Sequence, residues 1–446
     1  MTKTASELAR RLSRSTRRKG AKVSFEGEDA FGPDLRVRRW RLGNGLRVLT
    51  LVDRAAPVVS FQTWLGVGSR RETKGKTGLA HFCEHLMFLG TERFPVGEID
   101  RRLEEVGAEH NAATWTDWTC YYEDLPSGEL GVAMELEADR LANLDVQQEQ
   151  LESEREVVLS ERRDRVDDDV EGQASEVLWS TLLRRSPYSH PTIGWEKDIR
   201  GYTLDDCRAF HRTWYAPNNA MLVAVGDLDE ESFLESVVAL YGALTPSKLP
   251  VEEILPEPTL RKEKRIEMRL SASGEKAFLG WHGPAFSDPD WAALNLLSEI
   301  LFGGRSARVY RELVVEEELA TELSGSIPPF ALPSVFEVSL AVRPRRKVEK
   351  VVDRLDAHLE RVRREPVTDD ELERAKARLE LGLLSSLETA NGKGDQLGFY
   401  AQVTDQVGGA FTRLDEYRAL RPDDLLRAAR RFLDPKRRVH VRVLPS

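Results

Sequence analysis

The sequence predicts an α+β protein made of two duplicated domains, each an antiparallel sheet with packed helices. Three observations predict it. Apolar spacings of two and of 3.6 residues alternate along the chain, so strand and helix are mixed in every section. A charged, proline-rich stretch, TPSKLPVEEILPEPTLRKEK with four prolines, interrupts the pattern at about residues 245–264 and reads as a linker. The segments on either side of it are alike.

Taken in order, VRRWRL and LRVLTLV flank Gly43-Asn44-Gly45, and Asn-Gly accepts the positive φ values of a tight turn, so the first ordered element is expected to be this hairpin. A strand follows in VVSFQTWLGVGS, then helices in GLAHFCEHLMF and VGEIDRRLEEVG. NAATWTDWTCYYEDL is strand-like, with Trp115 and Trp118 expected on its exposed side, and long charged helices run through roughly 129–183. Beyond the linker, PDDLLRAARRFLDP (422–435) repeats LDDCRAFHRTWYAP (204–217) at an offset of 218, and each is followed by a strand. SEILFGG (298–304) repeats EHLMFLG (84–90) at an offset of 214. Two independent matches at nearly the same offset argue for duplication. The resulting division is a basic segment at 1–35, a first domain at 36–244, the linker at 245–264 and a second domain at 265–446.

Composition narrows the function. The 446 residues include 65 basic and 75 acidic side chains, a net charge of −10, which disfavours nucleic acid as a ligand. No apolar run reaches the roughly 18 residues of a membrane span, and no secretory signal is written at the start. A cytoplasmic location is expected, although MTKTASELARRLSRSTRRKGAK, with Glu7 as its only acid, also has the composition of an organellar transit peptide. Cys83, Cys120 and Cys207 are odd in number and widely spaced, so they read as reduced packing residues.

The chemical signal is His81-Phe82-Cys83-Glu84-His85 on a helix. At about 100° per residue, His81 and His85 lie about 40° apart on one face, where two imidazoles can share a zinc ion, while Glu84 stands beside them and Cys83 points to the far face. Zinc requires a third protein ligand and an open position for water, from which Glu84 is placed to take a proton. In the run LESEREVVLSERRDR, Glu154 and Glu161 are two helical turns apart and share a face. Spacing alone does not choose between them, and such charged runs are commonly just solvated faces. Under the duplication, His81, Glu84 and His85 correspond to Asn295, Ser298 and Glu299, so the second copy lacks the chemistry of the first.

With these residues in view, the chain resembles the M16 (inverzincin) zinc metallopeptidases, in particular a processing-peptidase-like subunit bearing the zinc motif. The resemblance extends over nearly everything beyond residue 36. It includes GLAHFCEHLMFLGT, NAATWTDWTCYY, EREVVLSE, SPYSHPTIG, WYAPNNAMLVAVGD and DPDWAALNLLSEILFGG. It implies the processing-peptidase (LuxS-like metallohydrolase) fold, with Zn2+ held by His81, His85 and Glu161, Glu84 as general base, and Glu154 as a carboxylate that orients a ligand without binding the ion. It further implies that Asn111, Ala112 and Thr114 receive an extended peptide by adding it to a sheet edge.

One part of the family pattern is missing. Many relatives carry an Arg and a Tyr seven residues apart in the second domain that help stabilise the oxyanion. LVVEEELAT places Val314 and Thr321 at those positions. Arg305, Arg308 and Tyr310 lie nearby at the wrong spacing. The expectation is therefore a zinc endopeptidase acting on unfolded peptides or presequence-like segments within a two-halved chamber, completed as a heterodimer by a homologous chain that has the Arg/Tyr pair but no zinc motif. The competing expectation is a non-catalytic scaffold of the same fold. A thiol enzyme built on Cys83 is disfavoured by the direction of that side chain.

Overall fold

A computed structural model describes residues 4–344 and 346–446. Helix α1 (Ala5–Ser15) leads into strands β1 (Val23–Phe31), β2 (Leu35–Leu42), β3 (Arg47–Val52) and β4 (Val58–Leu65). Next come α2 (Leu79–Leu86), α3 (Glu98–Glu105), β5 (Glu109–Thr114) and β6 (Thr119–Pro126). Helices α4 (Leu130–Asn143), α5 (Gln148–Arg162), α6 (Val170–Leu182), α7 (Glu196–Arg200) and α8 (Leu204–Trp214) precede β7 (Ala220–Gly226) and α9 (Glu230–Tyr241). The later part contains β8 (Lys264–Leu270), β9 (Lys276–His282), α10 (Pro289–Phe302), the single turn α11 (Arg308–Tyr310), β10 (Ala320–Ser326) and β11 (Val335–Val342). It ends with α12 (Val348–Arg364), α13 (Asp369–Ser386), α14 (Ala390–Val403), α15 (Gly409–Ala419), α16 (Pro422–Phe432) and β12 (Val439–Pro445).

The strands form two sheets, ordered β1-β2-β3-β7-β4-β6-β5 and β10-β11-β9-β12-β8. Read from the other end, the second sheet repeats β3-β7-β4-β6-β5 strand for strand. Even the pairing sense is kept: β3 lies parallel to β7 and β8 parallel to β12, and the other neighbours are antiparallel. Each sheet is therefore antiparallel except for one parallel pair, β3–β7 inside the first sheet and β12–β8 at the edge of the second, whose strands are far apart in sequence and not joined by a hairpin.

The chain divides into two compact units, and neither is a continuous stretch. The first takes residues 1–159, 191–252 and 385–411; the second takes 160–190, 253–384 and 412–446. Two of the cuts, after Leu159 and after Leu384, fall inside topologically equivalent helices, α5 and α13. The contiguous blocks drawn from sequence, 36–244 and 265–446, differ from these units because a linker's composition reports only one of the crossings.

In the first unit, strand alternation separates two cores. Phe61, Leu65, Leu222 and Ala224 face one side with α2, α4 and α9 residues such as Phe82, Leu136 and Leu234. Trp64, Met221, Val223 and Val225 face the other side, against Leu397 and Ala401 of α14. This explains the unbroken apolar run in β7, which is covered on both faces. Helix α14 can lie close because a Cβ at Gly398 would stand 2.1 Å from the Trp64 indole. In the second unit, α6 plays the matching part: Ala174, Leu178 and Leu182 pack on Phe278, Val441 and Val443.

Three sequence expectations are corrected. The Gly43-Asn44-Gly45 hairpin forms, with Val37 opposite Leu51, but it is not the first element. Residues of the 1–35 segment precede it as α1 and β1, with Leu8, Ala9 and Leu12 in the core and β1 paired along β2. Arg and Ser content hid a helix whose apolar residues follow i, i+3, i+4 spacing and whose start is closed by a Thr4–Glu7 capping box. The strand-like NAATWTDWTCYYEDL is two strands, β5 and β6, folded back at Trp115–Trp118. That turn leaves Trp115 exposed but packs Trp118 on Trp64 with ring centroids 4.9 Å apart.

Candidate metal centre

Helix α2 must be held firmly if its side chains are to aim at one point, and its first turn is anchored from outside the helix. It begins at Gly78, where φ is +87° and an added Cβ would meet the Ile193 carbonyl at 2.3 Å, so only glycine fits. No side chain at that position caps the helix. Glu72 instead accepts the amides of Gly78 and Ala80, both at 2.7 Å, satisfying donors that a helix start leaves open. Asp198 accepts from the Thr77 hydroxyl at 2.7 Å, and the Tyr202 hydroxyl donates to the Thr77 carbonyl. The buried face of α2, with Phe82, Cys83 and Leu86, seals into the core.

The exposed side of α2 then carries the two imidazoles, with ring centroids 4.6 Å apart and planes inclined by 70°. Helix α5 is continuous from Gln148 to Arg162 and brings both candidate carboxylates. Glu161 joins the histidines: one ligand atom each from His81, His85 and Glu161 lie within 4.8 Å of one another. Among the described residues this is the cluster of three with metal-holding geometry. Glu154 is placed differently, with Oε1 2.8 Å from Nδ1 of His85. The two-turn spacing that left Glu154 and Glu161 equivalent in sequence is thus resolved by where each meets α2. Donation of Nδ1–H to Glu154 would leave Nε2 of His85 for an ion. Arg165, one turn after Glu161 in the wide turn Arg163–Asp167, pairs with that carboxylate at 2.9 Å.

Two nitrogens and one carboxylate oxygen are the donor set of an open zinc site, so the residues present fit that ion. Glu84 is 8% exposed and adjoins two tyrosines that sequence reasoning missed. Tyr121 on β6 and Tyr215 after α8 meet hydroxyl to hydroxyl at 3.0 Å. Burial, with the charge of Glu84 nearby, holds both phenols well above their usual range, so they stay protonated. Their signal was invisible locally, because Tyr121 and Tyr215 are 94 residues apart. Cys83 is fully buried and its thiol is pushed up by that burial, which agrees with a packing role.

Asn111, Ala112 and Thr114 lie on β5, the edge strand of the first sheet. Asn111 is exposed, and its Oδ1 accepts from the Ala112 amide at 2.8 Å. In the second unit, Val314 sits in the wide turn Arg311–Glu316 and Thr321 on the edge strand β10. Arg308 is committed to a forked pair with Glu371 at 2.7 and 2.9 Å.

Helix α2 carries the inverted His-x-x-Glu-His order, and the fold around it is built of two sheet-plus-helix units. The chain belongs to peptidase family M16: residues 47–195 match the family model described as insulinase (peptidase family M16), and residues 201–379 match that described as peptidase M16 inactive domain. It is 30% identical to zinc protease PqqE of Helicobacter pylori over 88% of this chain and 89% of that one. It is 28% identical to the probable mitochondrial-processing peptidase subunit beta of Arabidopsis thaliana over 60% of this chain and 50% of that one. A solved protease structure from Helicobacter pylori superposes with a TM-score of 0.86 at 28% identity, covering 92% of this chain and 99% of the other. No helix among the described residues is long and apolar enough to cross a membrane.

Proposed function

We propose that this chain is a zinc-dependent endopeptidase, a reading carried above all by the convergence of His81, His85 and Glu161 from two helices. A zinc ion held by these three side chains would acidify water and polarise a peptide carbonyl. Glu84 accepts a proton from the attacking water and returns it to the leaving amine, a role worth about 10² to 10⁴ in rate. Glu154 fixes the tautomer and tilt of His85 through the 2.8 Å contact with Nδ1. Asn111, Ala112 and Thr114 offer a free sheet edge to which an extended substrate adds by backbone hydrogen bonds, which suits unfolded peptides or presequence-like segments enclosed in a two-halved chamber.

The oxyanion donors of the second domain come from another polypeptide in this reading. Val314 and Thr321 cannot make a charge-assisted bond, and Arg308 is held by Glu371. A homologous chain with an Arg/Tyr pair and no zinc motif would supply them. The test is hydrolysis of fluorogenic peptides by the purified chain with and without such a partner. Turnover that rises at least tenfold on mixing supports the heterodimer, and full turnover by the chain alone rejects it. A non-catalytic scaffold is the second reading, favoured by the inactive-domain match over residues 201–379. One bound zinc per chain together with peptide cleavage argues against the scaffold; absence of both argues for it.

A further inference from the structure

At Leu86, the last residue of α2, a cavity of about 210 Å³ opens between the end of α4, the following loop and α8. Its walls are chiefly apolar, from Leu86, Leu144, Val146 and Leu204. Two cations stand at its rim. Arg208 and Arg212 are exposed, one helical turn apart, and neither pairs with a carboxylate among the described residues. Arg208 donates to the Val146 carbonyl at 3.1 Å, which ties its guanidinium to the cavity. Like charges at i, i+4 repel, so an unneutralised pair beside an apolar hollow is an unfavourable arrangement for the free helix.

His211 supplies a second, independent mark. It lines the cavity, and its ring stacks on Tyr215 with centroids 4.9 Å apart and planes 26° from parallel. Its Nε2 is buried and has no hydrogen-bond partner among the described residues. Burial, with Arg212 nearby, lowers the imidazole to about 4, so it is neutral at ordinary pH. A buried ring nitrogen with nothing to bond is costly and calls for a partner that the chain does not provide.

We propose that this cavity binds a small monocarboxylate with an apolar body, a medium-chain alkanoate being the simplest example. The alkyl chain covers the leucine and valine walls, and the carboxylate meets the two guanidiniums at the rim and accepts from Nε2–H of the neutral His211. The cavity is smaller than a typical drug-sized pocket, which limits the occupant to a fragment. A dianion such as phosphate would strand its charge against apolar walls, and a cation would meet two arginines. A purely neutral occupant would leave the arginine pair unrelieved. Because the site uses none of the proposed zinc ligands or the general base, it stands whether or not the peptidase reading does.

The test is titration of the full chain, carrying 13C-labelled histidine, with sodium octanoate, octan-1-ol and octylamine. The His211 imidazole signal is identified by its loss in His211→Asn. Octanoate is expected to shift that signal saturably and to bind at least tenfold more tightly than either control. Ala142→Trp, at the exposed mouth, is expected to block octanoate. The pair Arg208→Gln/Arg212→Gln is expected to weaken octanoate at least tenfold and leave octanol unchanged. Absence of a saturable shift, equal response to all three probes, or undiminished binding in Ala142→Trp overturns the proposal. So does concentration-dependent self-association that moves the same signal without a probe, since a second copy would then be the occupant. Should the variants fail to fold, the ranking of the three probes on the unaltered chain decides the matter alone.

Discussion

Helices α2 and α10 occupy the same slot in their respective units, each following the third strand in the order β3-β7-β4-β6-β5 and its counterpart, β4 and β9. In α2 that slot holds His81, Glu84 and His85, facing the carboxylates of α5. In α10 the aligned positions are Asn295, Ser298 and Glu299. Each of these is consumed by the fold: Asn295 donates to the Tyr417 hydroxyl at 2.7 Å, Ser298 to the Gly325 carbonyl at 2.5 Å, and Glu299 pairs with Arg378 at 2.5 Å. The difference teaches that the scaffold is indifferent to the chemistry. A cation supplied by the chain itself stands against Glu299, whereas the histidines of α2 face anionic side chains and form a set that a metal cation would complete.

The strongest way to break this contrast is Glu84→Gln. Turnover should fall by about 10² to 10⁴ while zinc stays bound, as read by peptide hydrolysis and elemental analysis on the same sample. Loss of the metal as well would give Glu84 a different task. Next in size is Glu154→Gln, which keeps the side chain's shape but removes the charge beside His85. Zinc affinity should drop by about 10- to 100-fold in competition with a chelator; an unchanged affinity would mean that the 2.8 Å contact does not orient the ligand.

Asp395 of α14 sharpens the contrast from the opposite face of the first sheet. Burial raises its carboxyl from 3.8 to about 6, despite the bond it accepts from Gln62. Since the folded form holds its proton more tightly than the unfolded form, stability falls as pH rises from about 4 to 6. Asp395→Asn should remove that decline and raise stability at pH 7, by on the order of 3 kcal/mol at most, in urea unfolding at several pH values. A pH profile identical to that of the unaltered chain would reject the assignment. The smallest effect is expected for Glu299→Gln in the second unit. Its partner Arg378 is half exposed, so stability should change by about 0–1 kcal/mol and metal content not at all. A loss of metal there would show that the two slots are not independent.

Sequence by itself determined the α+β class, the duplication and the helix carrying His81, Glu84 and His85, because these depend on periodicity and on spacings within a few turns. The hairpin about Asn44 is of the same kind, a local choice that the chain makes with its neighbours. The β5–β6 hairpin escaped detection because its turn, Trp115–Trp118, lacks the Gly or Pro that usually announces one. The N-terminal helix escaped because its exposed face dominated the composition. Only tertiary structure decided that Glu161 comes beside both histidines while Glu154 lies against Nδ1 of His85, since the two share a helical face and differ only in what lies opposite. It also decided that α14 closes the first unit and α6 the second. Long-range packing of this kind leaves no periodic trace, because the burial of an apolar stripe is the same whichever sheet receives it.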